Sequence, residues 1–138
     1  MELLLVEDNL GDIRLIEEVL KDSHIRVNMS VARDGVEAIS FLKRQGRFAD
    51  APRPQIILLD LNMPRISGRE VLAFIKADSE LKRIPVIVFT TSDDERDIRS
   101  SYDLHANCYV TKPADFNQFI HILHIIESFW LGIVKLPA

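Results

Sequence analysis

Cysteine is nearly absent from this chain, since Cys108 is the only one among 138 residues. A single thiol excludes an internal disulfide and a cysteine-rich metal site. It also fits a reducing compartment, so we expect a cytoplasmic protein.

Basic charge is in short supply too. Lys and Arg total 17 against 21 Asp and Glu, which gives a formal net charge of -4, and no run of basic residues occurs. We therefore expect neither nucleic acid nor an anionic membrane as a partner.

Long hydrophobic runs are also missing. The apolar segment 3–6 is too short for the hydrophobic region of a signal peptide, and it follows Glu2 rather than a basic region. The longest later apolar stretch, 119–134, is interrupted by two histidines, a glutamate and a serine. We expect a packed amphipathic helix there and no membrane span.

Apolar residues are plentiful, by contrast, at 47% of the chain, which is enough to fill one core. Short apolar runs alternate with segments of helical periodicity. The predicted strands are 3–6, 26–32, 56–59, 85–89 and 106–110, and the predicted helices are 12–21, 35–44, 68–76, 94–102 and 115–131. This alternation predicts one α/β domain over 1–138, with parallel strands and helices on both faces of the sheet.

Polar side chains follow four of the predicted strands at the point where each strand ends. Glu7 and Asp8 follow the first, Asp60 the third, Thr90 the fourth and Lys112 the fifth. Ligands of open parallel sheets bind beyond the carboxyl ends of the strands. If the first and third strands are neighbours, the three acidic residues share one crevice.

Three carboxylates in one crevice require a cation. Two unit charges ~4 Å apart repel by about 4 kcal/mol at an effective dielectric constant of ~20. Oxygen ligands favour Mg²⁺, which in turn expects a phosphoryl oxygen as a further ligand. The ion, the Lys112 ammonium and the Thr90 hydroxyl would together bind three phosphoryl oxygens. Asp60 lies on the central strand and is the best candidate for a nucleophile that forms an acyl phosphate.

Several of these residues also have simpler explanations. Asp8, next to Asn9, could simply cap the first helix. Thr90 could be an ordinary β-branched strand residue. Gly68 permits either a close backbone approach or a positive φ at a helix start. The Lys112–Pro113 peptide is a candidate for a cis bond that would aim the lysine into the crevice.

Four segments resemble the response-regulator receiver domain of two-component signalling. They are LLVEDN (4–9), DLNMPRISG (60–68), PVIVFTTS (85–92) and YVTKP (109–113), and they occur in the family's order. The resemblance covers essentially the whole chain. It implies a flavodoxin-like fold, in which a doubly wound five-stranded parallel sheet has the order 2-1-3-4-5.

The resemblance also implies roles for the acidic residues. Asp60 would accept a phosphoryl group from a sensor histidine kinase and would help to bind Mg²⁺. Asp8 would bind the ion directly, Glu7 through water and Asn62 through its backbone carbonyl. A turnover phosphatase with an aspartyl nucleophile is an alternative, but such enzymes need an Asp two residues after the nucleophile, where this chain has Asn62.

The remaining site residues would act as a switch. The resemblance implies that Lys112 pairs with the phosphate and that Thr90 and Tyr109 move on activation. Asn62 and Ser92 flank the site and would tune the lifetime of the phosphoryl group. We therefore predict a switch that promotes its own phosphorylation and loses the phosphoryl group slowly, and not a turnover enzyme.

Two further features are the long loop 45–55 and the C-terminal sequence FWLGIVKLPA, after which no output domain follows. In both features the chain resembles stand-alone regulators partnered with cyanobacterial phytochromes. That similarity implies a phytochrome kinase, light signalling, and output through a homodimer or a downstream protein of unknown identity. Phe129 and Trp130 either cover the core or form the interface, and we favour the interface. A constitutive scaffold that ignores phosphorylation is the other alternative.

Overall fold

Five parallel strands form the centre of the computed structural model, which describes residues 1–137. The strands are β1 (Glu2–Val6), β2 (Asn28–Ala32), β3 (Ile56–Leu59), β4 (Val86–Thr90) and β5 (Cys108–Thr111). The helices are α1 (Leu10–Lys21), α2 (Gly35–Lys43), α3 (Gly68–Ala77), α4 (Glu95–Asp103) and α5 (Phe116–Ile126). Two 3₁₀ turns (Gly46–Phe48 and Leu81–Arg83) and a π-helical segment (Glu127–Leu131) complete the secondary structure.

The strand order is β2-β1-β3-β4-β5, which confirms the predicted doubly wound sheet. Strand β1 pairs with both β2 and β3, so that Val6 lies opposite Ala32 and Leu59. All four residues of β3 are buried, because hydrophobic clusters cover both faces of the sheet. The first and third strands are therefore neighbours, as the predicted crevice requires.

Side-chain caps determine where the helices begin. The Asn9 side chain accepts a hydrogen bond from the Asp12 amide, and Asp34, Ser67 and Asp115 cap α2, α3 and α5 in the same way. Asn9, and not Asp8, is thus the cap of α1. The Asp8 side chain therefore has no role in capping this helix.

Some predicted boundaries were wrong. Helix α1 begins at Leu10 because its cap is Asn9, and β2 and β5 begin at Asn28 and Cys108, later than predicted. Strand β4 extends to Thr90, where it pairs with Thr111 of β5. Thr90 is therefore a strand residue, which is compatible with a role at the strand end.

The last predicted helix is divided in two. Helix α5 ends at Ile126, and the chain continues as the wider π-helical segment. This turn buries Leu131 and packs the Trp130 side chain against the same hydrophobic cluster as Cys108 of β5. The predicted amphipathic packing of α5 is confirmed, since Phe119 and Leu123 are buried against the sheet.

The Lys112–Pro113 peptide, which the sequence leaves open as a candidate for a cis bond, is trans. Every peptide bond in residues 1–137 is trans. The Lys112 amide donates a 2.7 Å hydrogen bond to the Thr90 carbonyl, so the ladder between β4 and β5 continues to the lysine and directs it without a cis bond. Across residues 1–137, none of the helices combines the length and hydropathy needed to cross a membrane.

Candidate functional site

Three acidic residues meet beyond the carboxyl ends of β1 and β3. Carboxylate oxygens of Glu7, Asp8 and Asp60 lie within 4.8 Å of one another. The Asp60 amide donates to the Val6 carbonyl at 3.0 Å, which holds the two strand ends side by side. Glu7 and Asp60 are only 1% and 6% exposed, whereas Asp8 is partly open to solvent. The structure therefore brings together the acids that the sequence analysis selected.

Lys112 enters the same crevice from β5 and contacts three carboxylates. Its Nζ lies 2.5 Å from Glu7 Oε1, 2.8 Å from Asp12 Oδ2 and 3.4 Å from Asp60 Oδ2. The lysine side chain is 4% exposed. Because it is paired with carboxylates on three sides, the ammonium has a fixed position in the site.

Asp12 is a site residue that the sequence analysis missed. Its position in the sequence indicates only the start of a helix, yet its carboxylate accepts a hydrogen bond from Lys112. The available signal was its place in the first turn of the helix that begins beside the acidic pair. Asp12 raises the number of carboxylates around Lys112 and makes the crevice more negative.

Burial and pairing shift the pKa values of two of these groups. Burial raises the pKa of Glu7 to about 7, and the charge of Asp60 adds to this effect, while the hydrogen bond from Lys112 opposes it. Burial lowers the pKa of Lys112, but hydrogen bonds to Asp12 and Glu7 outweigh it and bring the pKa to about 12. Lys112 is therefore cationic at neutral pH.

Both oxygens of Asp60 have hydrogen-bond donors. The Asn62 amide donates to Oδ1 at 3.2 Å, and Lys112 lies on the Oδ2 side. The Asn62 side chain donates to Thr90 Oγ1 at 3.4 Å, which connects the loop after β3 to the end of β4. These contacts fix the direction of the Asp60 carboxylate and surround it with Asn62, Thr90 and Lys112.

Gly68 lets α3 begin directly against the Asp60 loop. A Cβ atom on Gly68 would lie 2.2 Å from the Asp60 carbonyl oxygen and 2.5 Å from the Leu61 Cα. Its φ is not positive, because Gly46 is the one glycine with a positive φ among residues 1–137. Close approach, and not an unusual backbone conformation, thus explains the glycine.

Tyr109 and Ser92 meet at the rim of the site. The Tyr109 hydroxyl donates to the Ser92 carbonyl at 2.8 Å, and the Ser92 hydroxyl donates to Asp97 Oδ2 at 2.6 Å. Burial raises the pKa of the Tyr109 phenol above its usual value. Tyr109 therefore contacts the loop that follows Thr90, where a switch residue could sense a movement of that loop.

Phe129 and Trp130 face different environments, although their rings lie only 5.7 Å apart. Phe129 is 48% exposed, whereas Trp130 packs against the hydrophobic cluster between the sheet, α1 and α5. Of the two roles considered for these residues, covering the core is the one that Trp130 fulfils. Of the two, only Phe129 presents much of its ring to solvent.

The donors in the crevice suit a hard divalent cation. All of them are carboxylate oxygens, they converge from two strand ends, and one of them is partly open to solvent. The ammonium of Lys112 balances only part of their charge. Receiver domains bind a divalent metal, and this crevice fits such an ion.

Comparisons with known proteins agree with this geometry. Residues 3–124 match the response regulator receiver domain family. The response regulator Rcp1 of Synechocystis sp. is 52% identical over 136 residues, which cover 99% of this chain and 92% of Rcp1.

Two similar solved structures are the Mn²⁺-bound form of Rcp1 and the phosphorylated cyanobacterial phytochrome response regulator RcpA. Both are 52% identical to this chain and cover 99% of it, with TM-scores of 0.97 and 0.96 and with 99% and 98% of their own chains covered. On the fold, the acidic crevice and these similarities, the chain belongs to the response regulator receiver domain family, whose members are phospho-accepting switches.

Proposed function

We propose that the protein is a response regulator that accepts a phosphoryl group on Asp60 from a sensor histidine kinase. The observation that carries this proposal is the setting of the Asp60 carboxylate. It lies among Glu7, Asp8 and Lys112, and a backbone amide and an ammonium hold its two oxygens. Phosphoryl transfer depends on positioning and on electrostatic stabilisation, and this arrangement supplies both around one carboxylate.

In the proposed reaction, an Asp60 carboxylate oxygen attacks the phosphorus of a phosphohistidine. The new P–O bond forms as the P–N bond breaks. The electron pair of the P–N bond returns to the imidazole nitrogen. Lys112 pairs with one phosphoryl oxygen, and the Thr90 hydroxyl donates to another. The Asp60 acyl phosphate is the product.

We propose Mg²⁺ as the bound ion. Asp8, Asp60 and the Asn62 backbone carbonyl would hold it, with Glu7 acting through water. When bound, the ion would neutralise negative charge on the phosphoryl oxygens. The oxygen donors and the partial exposure of Asp8 support a partly hydrated ion of this kind.

The proposed switch uses Thr90 and Tyr109. In the structure, the Asn62 side-chain amide donates a hydrogen bond to the Thr90 hydroxyl. A phosphoryl group on Asp60 would draw this hydroxyl toward the phosphoryl oxygens and away from Asn62. The loop after Thr90 would follow, and Tyr109 contacts this loop through the Ser92 carbonyl. Asn62 and Ser92 would tune the slow self-dephosphorylation by controlling the access of water to the acyl phosphate.

We propose a phytochrome as the sensor kinase and the cytoplasm as the compartment where the two proteins meet. The similarity to Rcp1 and to the phytochrome response regulator RcpA supports this partner. We further propose that residues 1–138 act as one receiver domain and that the signal leaves through a homodimer or a downstream protein.

The proposed interface is the C-terminal apolar stripe, which we define as Ile125, Phe129 and Ile133. These residues are spaced four apart and all three are exposed. Ile125 lies in the last turn of α5, Phe129 lies in the π-helical segment, and the Ile133 amide donates to the Phe129 carbonyl at 3.1 Å. Trp130 would support this surface from below, because it packs inward.

The test is phosphorylation with acetyl phosphate and Mg²⁺, followed by intact mass. We expect one added phosphoryl group, which disappears in Asp60→Asn and in EDTA. Asp50→Asn, which removes an exposed carboxylate in the loop before β3, is the matched control and should be labelled normally. Labelling that persists in Asp60→Asn or in EDTA would refute the proposal.

The same preparation separates the two alternative functions. Multiple turnovers of a small phosphomonoester would indicate the aspartyl phosphatase, which the amide at Asn62 disfavours. Partner binding that is equal with and without the phosphoryl mimic beryllofluoride would indicate the constitutive scaffold.

A further inference from the structure

A chain of polar contacts connects α3 to the loop between β4 and α4. Arg69 Nη1 lies 2.6 Å from Asp97 Oδ1, and Asp97 Oδ2 accepts a 2.6 Å hydrogen bond from the Ser92 hydroxyl. We call these two contacts the Arg69–Asp97–Ser92 link. At its end, the Ser92 carbonyl accepts the hydroxyl of Tyr109 at 2.8 Å.

Each end of the link lies beside the proposed phosphorylation site. Arg69 is the second residue of α3, and the residue before it, Gly68, packs against the Asp60 carbonyl. Ser92 is two residues after Thr90, which lies at the end of β4. The Asp97 carboxylate therefore joins the two segments that flank Asp60.

The link is built to hold a position. Both of its hydrogen bonds involve an ionised group, and such bonds are shorter and about twice as strong as neutral ones. The Asp97 side chain is 23% exposed, so solvent competes with it only in part. The buried Ser101 hydroxyl also donates to the Asp97 carbonyl at 2.7 Å and so fixes the backbone of α4 at this residue.

We propose that Asp97 is a positioning residue of the switch. Through the link, it fixes the Ser92 carbonyl relative to α3 and so determines whether Tyr109 can dock on that carbonyl. This inference rests on the proposed function, and it adds that the Asp97 side chain holds the carbonyl on which Tyr109 docks. A movement of the loop after Thr90 must either carry α4 with it or break the link.

The consequence is a specific pattern among variants. Asp97→Ala and Ser92→Ala each remove the bond between Asp97 and Ser92, by different changes. If the link acts by positioning, the two variants behave alike and the double variant behaves like either single one. If the Ser92 hydroxyl acted directly on the phosphoryl group, the two single variants would differ, since Asp97→Ala would free that hydroxyl.

The experiment observes Tyr109 itself. The chain has two tyrosines, and Tyr102 is half exposed, so Tyr102→Phe leaves Tyr109 as the only tyrosine signal. NMR spectra of ¹³C-labelled tyrosine are recorded in this background with Mg²⁺, before and after beryllofluoride. Asp93→Ala is the control, because it removes an exposed charge next to Ser92 without touching the link.

We expect one Tyr109 resonance that shifts with beryllofluoride in the reference protein and in Asp93→Ala. In Asp97→Ala and Ser92→Ala we expect this shift to be lost, and the double variant to show no further effect. The affinity for beryllofluoride should change by about ten- to a hundredfold, the range for one hydrogen bond to a charged group. Asp97→Asn retains one acceptor oxygen and should restore part of the shift.

A Tyr109 shift in Asp97→Ala equal to that of Asp93→Ala would overturn the inference. So would single variants with opposite effects. If Asp97→Ala does not fold, Ser92→Ala and Arg69→Gln test the same link. Failure of the reference protein to bind beryllofluoride would instead refute the proposed function, so the two failures are distinguishable.

Discussion

At the scale of single residues, the charges around Lys112 do not balance. One ammonium faces Glu7, Asp12 and Asp60, and Asp8 adds a fourth carboxylate nearby. Like charges this close raise the free energy of the folded state unless a counter-ion is present. The metal-free protein therefore carries an electrostatic cost at its site, and a divalent cation would remove it.

The first prediction concerns Asp8. Asp8→Asn removes one repelling charge, so the free energy of unfolding in EDTA should rise by roughly 1 kcal/mol. The same change should abolish the stabilisation by excess Mg²⁺, which for the parent protein is about 2.7 kcal/mol at 100 times the dissociation constant. Urea unfolding with and without Mg²⁺ measures both quantities. Asp50→Asn should alter neither, and a variant that keeps its response to Mg²⁺ would contradict the assignment of Asp8.

The second prediction concerns Gly68. Gly68→Ala places a methyl group 2.2 Å from the Asp60 carbonyl, and one of the two backbone segments must move. We expect a loss of about 1–3 kcal/mol in the free energy of unfolding, together with slower phosphorylation by acetyl phosphate. Gly11→Ala in α1, where an added Cβ would lie 3.2 Å from the Asn9 side-chain oxygen, should cost far less. Equal losses in both variants would show that close approach does not explain Gly68.

At the scale of elements, the strands that carry the site are also held at their opposite, amino-terminal ends. Lys76, in the last turn of α3, donates to the carbonyls of Lys82 and Ile84 at 3.0 Å and to Asn107 Oδ1 at 3.1 Å. Asn107 Oδ1 also accepts the Val86 amide at 2.9 Å. One ammonium therefore ties α3 to the starts of β4 and β5, and burial lowers its pKa.

The third prediction follows from this arrangement. Lys76→Met removes three hydrogen bonds while it keeps most of the apolar stem, and it should lower the free energy of unfolding by about 1–2 kcal/mol. Phosphorylation should be unaffected in the folded protein, because Lys76 lies at the amino-terminal end of the strands and Asp60 at the carboxyl end. Lys82→Met changes an exposed side chain and should stay within about 0.5 kcal/mol of the parent protein. Urea unfolding decides between these outcomes, and a Lys76→Met variant as stable as Lys82→Met would contradict the role.

At the scale of the whole molecule, output depends on a surface that other proteins can reach. The C-terminal apolar stripe is exposed, and it continues from α5, which packs on the same face of the sheet as α1. Its neighbour Trp130 packs against the same hydrophobic cluster as Cys108 of β5, the strand that carries Tyr109 and precedes Lys112. The proposed interface and the proposed switch therefore border one hydrophobic cluster.

The fourth prediction separates the two adjacent aromatic residues. Phe129→Ser should weaken dimerisation, as measured by sedimentation with and without beryllofluoride, and should leave the melting temperature nearly unchanged because its ring is half exposed. Trp130→Ala should lower the free energy of unfolding by about 3 kcal/mol, since it removes a large, partly buried side chain that packs against the core. A Phe129→Ser protein that dimerises like the parent protein would exclude the stripe as the interface.

Local patterns were sufficient to predict most of the fold. The alternation of apolar runs and helical periodicity predicted five strands and five helices, because burial of both sheet faces requires continuous apolar strands. Boundaries were less accurate where a side chain far along the chain decides them. Asn107, for example, uses its side chain to bind the Val86 amide, and β5 begins only after it.

The amino-acid sequence by itself determined which chemistry this protein can perform. It places acids, a threonine and a lysine at the ends of buried strands, and parallel pairing brings strand ends together whatever the details of packing. Only the tertiary structure decided how these groups pair. Asp12 joins Lys112 across 100 residues of sequence, Asp97 joins Arg69 to Ser92, and Phe129 faces outward while Trp130 faces inward. Such contacts depend on distances between elements, which no local pattern encodes.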